Sequence, residues 1–105
     1  MTRVESAFEG MKVIATGEHS GETAAHQLPA QGCNFVNFVA DSANTGVVCI
    51  GTSSSVTLSA GTDTTTAGFQ LCAKAQSGWL PCNNLNEFWI ITTAAGDDVS
   101  YICIG

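Results

Sequence analysis

The chain predicts an all-β protein, an antiparallel β-sandwich or jelly-roll-like barrel of about eight short strands. Three observations carry this. Helical periodicity is nearly absent, and the best helical stretch, VESAFEGM, is short and broken by glycine. Apolar runs recur at about ten-residue spacing, with Gly, Asn, Asp and Ser between them. Hydrophobic residues make up 45% and charged residues only 11%, so hydroxyls and amides solvate the surface, as suits strands and turns.

Taken in order, residues 1–10 (MTRVESAFEG) read as an N-terminal arm, and residues 11–105 as a single domain. Within the arm, Thr2, Arg3, Val4 and Phe8 are the candidate contact residues, combining a cation with an apolar pair. Strands are expected over 11–16 (MKVIAT), 23–28 (TAAHQL), 34–40 (NFVNFVA) and 46–51 (GVVCIG). Four more are expected over 69–73 (FQLCA), 79–82 (WLPC), 87–93 (EFWIITT) and 99–104 (VSYICI). Pro81 cannot donate to a ladder, which makes its run an edge strand or a loop. GEHSGE reads as the turn between the first two strands, and DSANTG and AAGDD as hairpin turns. The last two strands then form a terminal hairpin whose members lie in the middle of a sheet. Residues 51–68 break the spacing with a long Ser/Thr/Gly-rich loop, in which 55–58 could add a short strand.

The formal net charge is −6, with Arg3, Lys12 and Lys74 as the three cations. Three scattered cations cannot neutralise a phosphate backbone or hold an anionic bilayer, so neither nucleic acid nor membrane is an expected partner. The N-terminus lacks a signal-type apolar region and no run approaches membrane-spanning length, so folding in a reducing cytosol is expected.

Five cysteines, an odd number, argue against a full disulfide framework in that compartment. Their closest spacing, from Cys72 to Cys82, is too wide for a CxxC-type metal pair. Cys49, Cys72 and Cys103 lie in apolar runs and read as small hydrophobes; Lys74 shares a strand face with Cys72. Cys33 and Cys82, each beside an Asn and a turn former, read as the most exposed thiols, and oxidation of one pair after assembly stays open.

No catalytic, cofactor or metal signature emerges. Asp97 and Asp98 are adjacent, so on a strand they point to opposite faces rather than converging like paired catalytic carboxyls; the reading is a turn tip. His19, Ser20, Glu22 and His26 cluster in sequence but lack a nucleophile elbow. Trp79, beside Gly78 and Pro81, is the aromatic most expected to be exposed, and is the candidate contact for a glycan.

HQLPAQGCNFVNFVA, SANTGVVCIGT and NLNEFWIITTAAGDDVSYICIG, taken together, resemble small structural proteins of tailed bacteriophages. The resemblance covers most of residues 27–105 and rests on a pattern of strands and turns; the cysteine richness departs from it. It implies a virion component on the capsid surface, a decoration or cement protein that binds the major capsid protein. It also implies a homotrimer, and carries no catalytic residue over. The alternative is a tail or fibre module that recognises host glycans through Trp79 and the 51–68 loop.

Overall fold

Strict alternation in FVNFVA sets the centre of the fold, with Val36, Phe38 and Ala40 fully buried and Phe35, Asn37 and Val39 half-buried between them. The computed structural model describes residues 10–56, 68–93 and 96–105. It contains β1 (Val13–Ser20), β2 (His26–Gln27), β3 (Phe35–Ala40) and β4 (Val48–Gly51). Then follow β5 (Phe69–Leu71), β6 (Gln76–Pro81), β7 (Trp89–Thr92) and β8 (Asp98–Ile104).

They form two four-stranded antiparallel sheets, ordered β1-β8-β3-β6 and β2-β7-β4-β5. The pairing is nested: β1 with β8, β2 with β7, β3 with β6 and β4 with β5. Bonds from β8 to β3 and from β7 to β4 complete the sheets. One core lies between them, filled by Val36, Phe38, Ala40, Val99 and Cys103 from the first sheet and by Val48, Ile50, Leu71 and Ile90 from the second. Phe38 meets Phe88 edge-on at 5.3 Å in its middle. The all-β expectation is met as two sheets sharing a core. Neither sheet closes on itself, so the two open sheets do not by themselves make a barrel.

All eight expected strands recur, with shifted ends. Pro81 does end an edge strand, β6. The first strand runs on through GEHS, expected as a turn, because its ladder with β8 continues from Gly17↔Tyr101 to Ser20↔Asp98. Gly17 fits that ladder for lack of a side chain: a Cβ there would lie 2.7 Å from the Tyr101 ring. The strand of Trp79 begins earlier, at Gln76, across a bulge in which Gly78 takes φ +77°. The bulge turns the Phe38 N–H away from backbone acceptors, and the Ser77 hydroxyl accepts it at 2.9 Å. Of the short strand expected at 55–58, Ser55 and Val56 lie outside any strand, and the rest falls outside the described residues.

The hairpin readings of DSANTG and AAGDD are overturned. Strands β3 and β4 lie in opposite sheets, and so do β7 and β8. Each connection therefore crosses between sheets rather than returning alongside its own strand. Strands β7 and β8 are nonetheless interior, as expected, each in its own sheet. Residues 85–87 form a 3-10 turn, so Glu87, expected to open the seventh strand, closes that turn instead and the strand starts at Trp89. Asn84 caps it by accepting from the Asn86 N–H at 3.0 Å, and Glu87 accepts from the Asn84 N–H at 2.6 Å.

Candidate functional site

The clearest unassigned surface is the outward face of the β1-β8-β3-β6 sheet. Alternation places Phe35, Asn37 and Val39 of β3 opposite Ile104, Ile102 and Ser100 of β8 on that face. Trp79 of β6 pairs with Asn37 and is 37% exposed, as expected for it. At the β1 rim a bulge inserts one extra residue, leaving Val13 53% and Ile14 40% exposed. A recess of about 150 Å³ opens between Asn37, Val39, Ser100 and Ile102. That is below the roughly 300–1,000 Å³ of small-molecule pockets. The expected arm contacts Thr2, Arg3, Val4 and Phe8 lie outside the described residues.

A second recess, of about 320 Å³, lies where the 51–68 loop leaves β4. Ile50, Val56, Phe69 and Phe88 line it together with the Ser53 and Ser55 hydroxyl positions. It belongs to the β2-β7-β4-β5 sheet, whereas Trp79 stands on the other sheet. The two parts of the expected glycan site are therefore not brought together.

Asp97 is not at a turn tip. It is only 5% exposed, and its carboxylate accepts the N–H groups of Thr45 at 3.1 Å and Gly46 at 2.9 Å. Its carbonyl accepts from the Gly21 N–H at 2.6 Å. Asn44 completes the clasp: its side chain donates to the Asp98 carbonyl at 2.9 Å and accepts from the Asp98 N–H at 2.8 Å. Three intersheet connections are thus tied at one residue.

Asp98, by contrast, turns its carboxylate toward those of Glu18 and Asp41, with ligand oxygens within 4.8 Å of one another. Among the described residues they are the group placed to offer oxygens to a hard cation, although such ions take six to eight.

The His19 and His26 rings approach to 5.9 Å between centroids, and His26 Nε2 lies 2.7 Å from Glu22 Oε2. Burial and the neighbouring His26 lower the His19 pKa, with Glu22 opposing them. Ser20 is adjacent to His19 on β1 and so faces the other way. The sequence cluster therefore does not become a Ser–His–Glu relay.

Three thiols converge at one end of the first sheet. Cys33 Sγ lies 3.4 Å from Cys82 Sγ, and Cys103 also interacts with Cys33. Burial above all pushes the Cys82 and Cys103 thiols up to about 12. Cys33 was expected to be exposed and is buried, because it tucks under the start of β3; Cys72 is the exposed thiol. Spacing in sequence could not reveal the Cys33–Cys82 pair, since a crossover of 49 positions joins them.

Comparisons with protein families, curated proteins and solved structures find no match.

Proposed function

We propose that this chain is a jelly roll that serves as a non-enzymatic structural protein of a virion. It decorates the capsid surface by binding the major capsid protein, and does so as a homotrimer. The nested strand pairing supports the fold reading. A long antiparallel ribbon with its tip between β4 and β5, wound once upon itself, produces the orders β1-β8-β3-β6 and β2-β7-β4-β5. Viral capsid proteins use such rolls, but so do lectins and cupins, so the fold alone does not decide function.

The observation that carries the functional reading is the outward face of the first sheet. It presents Phe35, Val39, Ile102 and Trp79 around a recess too small for an ordinary ligand. Apolar residues there gain most when another protein covers them. Few charges oppose that covering, with only 11% charged residues in the chain. The phage-like order of strands and turns supplies the partner class.

The test is a binding assay between the purified chain and phage capsids, with copies per particle counted and mass measured in solution. Saturable binding at hundreds of copies on the head, by a trimer, supports the reading. A monomer that ignores capsids and instead binds in a glycan array would overturn it in favour of the tail-module alternative.

A further inference from the structure

We infer that Cys33 and Cys82 are an oxidation site, two thiols held ready to close into a disulfide that staples edge strand β6 to the start of β3. This stands apart from the capsid reading and does not need it. The sulfurs are 3.4 Å apart. A disulfide brings them to about 2.05 Å. The backbone is already fixed on both sides of the pair: the Cys33 N–H donates to Asn83 at 3.2 Å and the Cys82 N–H to Asn34 at 3.0 Å. Closing the bond therefore asks for side-chain rotation rather than a shift of strands.

Access singles out this pair. Cys82 is half-buried and can meet an oxidant, while Cys33 is buried directly behind it. Cys103 and Cys49 are fully buried, and exposed Cys72 follows β5 in the other sheet.

The chemistry is thiol–disulfide exchange with a low-molecular-weight disulfide as oxidant. Cys82 gives its proton to solvent, and its thiolate attacks one oxidant sulfur, expelling the first small thiolate. Cys33, likewise deprotonated, attacks the Cys82 sulfur of the mixed disulfide and expels the second. Two protein sulfurs lose two electrons, the oxidant gains them, and the two released protons end on the two small thiols. In a reducing compartment the pair stays open, and outside it closes. Because burial raises the Cys82 thiol to about 12, the first step is slow at neutral pH. Its rate should rise about tenfold per pH unit between pH 7 and 9.

The experiment incubates the full reduced chain with oxidised glutathione, then alkylates and maps the peptides. The expected product joins Cys33 to Cys82 and leaves three alkylated thiols. Closing a loop this long should raise the melting temperature by on the order of 10 °C. Cys72→Ser should preserve both results, and Cys82→Ser should abolish them. Linkage of Cys33 to Cys103 instead, oxidation seen only between chains through Cys72, or thiols that stay reduced until the protein is unfolded would each overturn the inference. If Cys82→Ser does not fold, the peptide map of the unsubstituted chain decides alone.

Discussion

The Asp97 carboxylate holds the backbone N–H of Gly46 at 2.9 Å, across 51 positions of sequence. This bond and its partner to Thr45 tie the β3–β4 connection to the β7–β8 connection. Asp97→Ala would leave two N–H groups inside the clasp without their acceptor. Each such loss, to a charged acceptor, is worth about 1.5–3 kcal/mol. Asp97→Ala should therefore destabilise by about 3–6 kcal/mol, and Asp97→Asn, which keeps one oxygen, by less. Urea unfolding checks this: the midpoint should fall at unchanged slope. A drop no larger than for Asp98→Ala would contradict the clasp.

The His pair predicts a pH response. The His19 pKa is lowered in the fold by burial first and His26 second, with Glu22 pulling the other way. His26 and Glu22 are the titratable groups that act on it. A lowered folded pKa means that protonation favours the unfolded chain. The stability contribution is thus complete above the unfolded value of 6.5 and is lost as pH falls below it toward the folded pKa. Melting temperature should decline from pH 7 to pH 5, and His19→Gln should flatten that decline. An equal decline in both proteins would remove His19 as its source.

The strands were legible in the sequence because alternation is local: FVNFVA alone gives the inward and outward sets of β3. What strands pair with was not. Turn residues in DSANTG and AAGDD invite a hairpin, since turn chemistry reports a change of direction but not the sheet in which the chain resumes. The structure resolves this through Asp97, whose buried carboxylate binds a connection 51 positions away. A signal for the 3-10 turn was present: Asn84 and Glu87, three apart, are the two ends of a capping box. Of the candidate site, Trp79 was legible from its Gly and Pro neighbours, whereas the recess beside Asn37 depends on register between β3 and β8 and so could not be read locally. The thiol pair is hidden for the same reason.

Gly17 and Tyr101 form a size-complementary pair across β1 and β8. A Cβ on Gly17 would lie 2.5 Å from the Tyr101 hydroxyl and 2.7 Å from its ring. Gly17→Ala improves strand propensity yet overpacks this contact, so it should destabilise by about 1–3 kcal/mol. Tyr101→Val makes room, and the double variant should recover part of the loss. The coupling from a double-mutant cycle reads this directly, with a value near zero marking the two sites as independent.

The outward face of the first sheet yields the prediction on which the proposed function turns. Ile102 and Trp79 both neighbour Asn37, one from each flanking strand. Neither belongs to the buried core cluster, so replacing either should change protomer stability little beyond about 1 kcal/mol. If this face is covered by a partner subunit or the capsid, the same changes remove a desolvated centre. Ile102→Glu places a charge there without a counter-ion, and Trp79→Ala deletes the largest anchor. Losses of 2 kcal/mol or more are typical at such centres, equivalent to about thirtyfold in affinity. Thermal melts should therefore stay near that of the unsubstituted chain, while dissociation constants for self-association or capsid binding rise at least that much. Full binding by both variants would place the interface elsewhere, and Glu18→Gln on the same face, at its acidic end, is the control expected to leave binding within severalfold.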